Sequence, residues 1–177
     1  AAYSGQFAKQ ELDGEFVNLA GNRVYEPFTR ERNHAPATWQ PGEALHIGMD
    51  FNVMNMTAIV CAIRDDAPVV LTELTGVRDT PQMCAMLAAH YPGRALVIYP
   101  DAIGSSRKSV NAQESDIALL KQAGFTVRVN PGNPAVKDRV QAVNAAMPRL
   151  RIDIDACPRL TEALEMQAYD RNGEPDK

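Results

Sequence analysis

The sequence predicts a mixed α/β sheet covered by helices on both faces. Three observations carry that expectation. A segment with period-two alternation is followed by two more β-rich runs, all joined by short polar connections. Helix-period segments and short apolar runs then alternate along the chain. Pro and Gly residues punctuate the boundaries between them.

In chain order, Leu45, Ile47, Met49 and Phe51 alternate with His46, Gly48 and Asp50, the pattern of a half-covered strand. Thr57–Ile63 is a second β-rich run. Arg64-Asp65-Asp66 makes a polar turn, and Val69–Thr75 completes a three-strand antiparallel meander. Thr80 is expected to cap a helix that has Pro81 at its first position and Met83, Met86, Leu87 and Tyr91 on one face, stopped by Pro92-Gly93. Ala95–Tyr99 is a short continuous apolar run, as for a strand covered on both faces. A second helix is expected from Ser115 or Asp116, with Ile117, Leu120 and Ala123 inward and Gly124 at its end. Phe125, Val127 and Val129 alternate as another strand. Asn133-Pro134 opens a third helix carrying Val136, Val140, Val143 and Met147, and Pro148 ends it. Leu150, Ile152 and Ile154 form a short extended piece, and Pro158 begins a last helix with Leu160, Ala163 and Leu164 inward.

Residues 1–44 differ: Gly, Asn, Arg and scattered aromatics show little periodicity and run into Pro36 and Pro41-Gly42. They read as an arm or linker that packs on a neighbour or crosses the surface, leaving 45–177 as the domain. The 177 residues suffice for one domain with a full core, and 45% apolar with 23% charged residues is ordinary for a globular chain. No apolar run reaches the roughly 18 residues of a membrane span. The N-terminus lacks a signal pattern, so cytoplasmic residence is expected. Cys61, Cys84 and Cys157 show no metal spacing and read as packing residues. The net charge of −4 disfavours a dedicated DNA-binding module but not a nuclease, whose carboxylates are compensated only when cations arrive.

Asp50 lies near the end of the first strand and Asp101 directly after the apolar run that ends at Tyr99. Polar groups at such strand ends line the crevice where ligands bind. If the two strands are neighbours, two carboxylates meet at one end of the sheet, a donor set suited to Mg²⁺ or Mn²⁺ and to phosphodiester hydrolysis. The alternative is that each Asp only caps a turn. Glu73 is a third candidate, inside the third strand; the bland alternative is an outward-facing residue. Asp153 and Asp155 alternate with Ile152 and Ile154 and read as a solvated face. Arg107 and Lys108, in a Gly-Ser-Ser loop, could contact DNA phosphates or merely solubilise the loop. Lys137 and Arg139 oppose the dipole of the helix they begin, a faint pointer to an anionic partner; surface solubility is the competing explanation. No G-x-x-x-x-G-K-[ST] or G-x-S-x-G motif occurs, and His34, His46 and His90 are scattered.

Several short motifs also resemble a known family. His46-Ile47-Gly48-Met49-Asp50-Phe51-Asn52 is similar to the first strand of terminase large-subunit nucleases, Val70–Leu74 to their third, and Val97-Ile98-Tyr99-Pro100-Asp101-Ala102 to the strand bearing a second metal ligand. Ile117–Val127 is similar to the helix, glycine and strand that follow. Gln10–Val17, Gly21 and Val24-Tyr25 resemble the segment that joins the packaging ATPase to the nuclease. The resemblance implies an RNase H-like fold and a viral endonuclease that uses two Mg²⁺ or Mn²⁺ ions to cut concatemeric double-stranded DNA. Asp50 and Asp101 would be its metal ligands, with Glu73 close by. It also implies an ATPase domain in the same chain, small-subunit and portal partners, and a place in the host cytoplasm. The family's further Asp, in a segment resembling Asp-His-x-x-Asp-Ala, has no counterpart up to Lys177, which predicts a domain truncated at its C-terminal end. The rival readings are another RNase H-like nuclease, such as a junction resolvase, and a non-catalytic docking domain for DNA or a portal.

Overall fold

The computed structural model describes residues 23–52, 54–101, 110–130 and 132–176, apart from the side chains of 110–114. A short helix α1 (Arg30–Asn33) precedes β1 (Leu45–Asp50), β2 (Met56–Arg64) and β3 (Ala67–Val77). Then come α2 (Thr80–His90), β4 (Leu96–Pro100), α3 (Val110–Gln122), β5 (Thr126–Val127), α4 (Val136–Ala146), β6 (Arg151–Ile152) and α5 (Pro158–Met166). The strands form one six-stranded sheet in the order β5-β4-β1-β2-β3-β6. β1, β2 and β3 are antiparallel neighbours, whereas β4 pairs parallel with β1, β5 with β4, and β6 with β3.

Alternation decides which side chains go where. Leu45, Ile47 and Met49 of β1 join Met56, Ala58, Val60, Leu71, Leu74 and Ile98 on one face, under Met83 and Leu87 of α2 and Leu120 of α3. Among the described residues, the opposite face is covered over β2, β3 and β6. There Val70, Ile59 and Cys61 pack with Met147, Leu150, Ile152, Cys157 and Leu164. Phe28 is fully buried in this second cluster. Asn33 is also fully buried, and its amide donates to the carbonyls of Met147 (2.8 Å) and Leu150 (2.9 Å). Residues from Arg23 onward therefore help to close the second face.

Several boundaries differ from the sequence expectation, each because a tertiary contact outweighs local preference. Asp79, not Thr80, caps α2 by accepting from Gln82 N, while Thr80 is buried and donates its hydroxyl to Asp116 (2.7 Å). Asp116 is thus engaged across the α2–α3 contact instead of capping a helix, and α3 begins at Val110. No side chain caps α4, whose N-cap is Ala135. β5 has two residues, and Val129 is exposed beyond it. In α5 Thr161, with Leu164, is the buried residue, and Ala163 is exposed. Asp153 is no solvated residue: it accepts from Ala37 N (3.1 Å) and Ala156 N (3.2 Å). The three cysteines are free thiols; burial pushes Cys61 up to about 11 and Cys157 up to about 12, in keeping with packing roles.

Candidate metal and nucleic-acid site

The uncovered part of the second face lies over β1, β4 and β5. On β1 the residues pointing there are His46, Gly48 and Asp50, the positions between buried Ile47, Met49 and Phe51. β4 runs parallel in the register Gly48↔Tyr99 and Met49↔Pro100. Asp101 N donates to Met49 O (2.9 Å), which carries that register one step further and stands Asp101 beside Asp50. In a parallel ladder, residues in register share a face. The two carboxylates thus occupy adjacent strand ends on one side of the sheet, Asp50 exposed and Asp101 half-buried. Thr57 of β2 stands on the other side of Asp50.

The donors are all oxygen. Mg²⁺ and Mn²⁺ commonly take one or two protein carboxylates and complete their shells with water and phosphate. The pair fits such ions in chemistry and in placement. Among the described residues, no group of three or more His, Cys, Asp or Glu side chains stands together as a metal cluster.

Glu73 shares this face, in register with Ile59 and through it with Gly48. Its oxygens accept from Arg159 N (2.9 Å) and Leu160 N (2.7 Å), the first-turn donors of α5. Cys157, the N-cap of α5, makes no side-chain cap bond, so a carboxylate from the sheet satisfies those amides and the positive end of the helix dipole instead. Lys137 and Arg139 are exposed on the first turn of α4. Arg139 lies near enough to Tyr25 that its charge opposes the rise which burial imposes on that phenol. Arg107 and Lys108 lie outside the described residues.

Three further side chains join the open face. The His46 and Tyr99 rings stack with centroids 5.8 Å apart, and His46 Nδ1 lies 3.0 Å from the Tyr99 hydroxyl. Arg128 N donates to Ile98 O (2.9 Å), which extends the β4–β5 register Ile98↔Val127 and sets Arg128 next to Tyr99. The alternation of Phe125, Val127 and Val129 already implied that Arg128 points away from the core. The neighbour it meets there depends on which strand pairs with β5.

A family model described as Terminase RNaseH-like domain matches residues 47–177. Among solved structures, the large terminase of a thermophilic bacteriophage is similar at 18% identity and a TM-score of 0.67, over 98% of this chain and 45% of that one. The large terminase nuclease of thermophilic phage G20c with bound magnesium matches at 14% identity and a TM-score of 0.60, over 89% of this chain and 87% of that one. The g2p nuclease domain of bacteriophage SPP1 with bound Mn matches at 16% and 0.54, over 81% and 84%. The chain spans less than half of the first of these proteins and corresponds to most of each isolated nuclease domain. No curated protein sequence matches it. The shared fold and the family match together identify the chain as a member of the terminase RNaseH-like domain family, with the RNase H-like architecture of a large-terminase nuclease domain.

Proposed function

We propose that the chain serves as the nuclease domain of a viral packaging motor, a divalent-metal-dependent endonuclease that cuts concatemeric double-stranded DNA. The observation that carries this reading is the placement of Asp50 and Asp101 side by side on the uncovered face. These two carboxylates would hold two Mg²⁺ or Mn²⁺ ions. When bound, such ions supply a water of lowered pKa and offset the charge that develops on the phosphate oxygens. Asp50 and Asp101 orient the cations at the strand ends, the flat strip at Gly48 lets a DNA backbone approach, and Glu73 holds α5 beside the site. Arg107 and Lys108 would contact DNA phosphates beside the metals, and Lys137 and Arg139 would face the anionic backbone. Residues 1–44 would link the domain to an ATPase in the same protein, working with a small subunit and a portal in the host cytoplasm. The family match favours this reading over a junction resolvase.

The test is plasmid nicking by the intact protein in Mn²⁺. Asp50→Asn and Asp101→Asn should each reduce cutting at least about a hundredfold, given the several kcal/mol that metal-borne charge stabilisation contributes to the transition state. Wild-type rates in both variants would reject the site.

A further inference from the structure

Tyr99, Arg128 and His46 are not required to hold a cation, yet they share the open face with the two carboxylates. Tyr99 is 37% exposed although it sits in a central strand. Its hydroxyl is held at 3.0 Å from His46 Nδ1, and its ring is stacked on the imidazole. Arg128 is exposed directly after the neighbouring edge strand β5, and no salt bridge engages it among the described residues. Beside Tyr99 on β1 is Gly48, where an added Cβ would meet nothing within 4 Å among the described residues, so there is space next to the phenol ring.

Spacing says what could lie there. Strands rise about 3.3 Å per residue, so Tyr99, two positions before Asp101, lies roughly 6.6 Å back along the strand. That distance is comparable to the step between successive phosphates of one DNA strand. A phosphodiester at Asp50 and Asp101 would therefore bring a neighbouring phosphate over Tyr99 and Arg128. A guanidinium and a phenol side by side form a charge-assisted, directional phosphate contact.

We propose that Arg128 and Tyr99 bind the phosphate adjacent to the scissile one, and that His46 is a positioning residue for the Tyr99 hydroxyl. With Nδ1–H donating to the phenol oxygen, the Tyr99 O–H is free to donate to the phosphate. This rests on the nuclease reading above and adds to it a subsite for the DNA strand.

The experiment measures binding of a fluorescein-labelled DNA duplex by the intact protein, in chelator and across a salt series, beside Mn²⁺-dependent nicking. Tyr99→Phe keeps the ring and should weaken binding about tenfold, as for loss of one hydrogen bond to a charged group, with the salt slope unchanged. Arg128→Gln should lower the slope of log K against log salt by about 0.9, one phosphate contact. His46→Ala should weaken binding in the wild-type background and add nothing in the Tyr99→Phe background, because it acts through that hydroxyl. Unchanged affinity in Tyr99→Phe, or an unchanged slope in Arg128→Gln, overturns the subsite even if Asp50→Asn abolishes nicking. Wild-type nicking by both Asp50→Asn and Asp101→Asn instead rejects the metal site, and with it the placing of this phosphate next to the scissile one. Tyr99→Phe alone decides the phenol's part should His46→Ala fail to fold.

Discussion

A single side chain can answer to the local helix or to the chemistry of a site, and Glu73 separates the two. Its carboxylate receives two backbone N–H groups at the start of α5. Glu73→Ala should therefore lower stability by about 1–2 kcal/mol, the usual cost of losing a cap, measured by urea unfolding. Loss of cutting with stability unchanged would instead place Glu73 among the metal-site carboxylates. The sequence exposed Glu73 as an anomaly, a carboxylate within a β-rich run. Which partner resolves the anomaly depends on a helix 86 positions away. Asp50 and Asp101 were more legible, because each stands at the end of an alternating or apolar run that is visible in the chain. Arg128 was missed: its outward phase was readable, but a lone surface arginine carries no signal until its neighbours are known.

At the scale of elements, polar ties fix how helices meet the sheet. Arg30 of α1 meets Glu165 of α5 through two hydrogen bonds, of 2.7 and 2.8 Å. That guanidinium, by its hydrogen bond and then its charge, holds the Glu165 carboxyl below the ordinary glutamate value of 4.5. A folded-state value below the unfolded one means that the tie stabilises above about pH 4.5 and is lost as pH falls through the lowered value. Melting temperatures of wild type and Glu165→Gln should thus differ at pH 7 and converge toward pH 3; a gap independent of pH would rule out the charged tie. Thr80 and Asp116 join α2 to α3 in the same way, with Thr80 buried and Asp116 half-buried. Thr80→Val should cost about 1–3 kcal/mol, because it removes the donor from a half-buried carboxylate, and calorimetry would register it. A neutral result would mean that Asp116 is satisfied without Thr80.

For the whole molecule, the described residues cover one face of the sheet along its length and the other over β2, β3 and β6, and the candidate site lies on the remainder of that second face. Phe28, which precedes β1 by many residues, is fully buried against the covered half. Phe28→Ala should cost about 3–5 kcal/mol, and a value near zero would show that the segment from Arg23 detaches from the domain. Divalent metal should bind the folded state alone. At ten times its Kd it would contribute about 1.4 kcal/mol, a rise of roughly 3–5 °C in melting temperature. The rise should vanish in the Asp50→Asn, Asp101→Asn double variant; an equal rise there would locate the cation elsewhere.

By itself the sequence determined the types of the elements after residue 44, the three-strand meander and the phase of β1, because alternation and helical periodicity are local consequences of backbone geometry. It also determined that Asp50 and Asp101 stand at the ends of two separate strands. Only the tertiary structure decided that β4 lies in parallel beside β1, so that the two carboxylates stand together, and that α5 lies where Glu73 can cap it. Strand order and helix docking arise from contacts between segments far apart in the chain. No local pattern encodes such a contact, since its free energy exists only once both surfaces are in place.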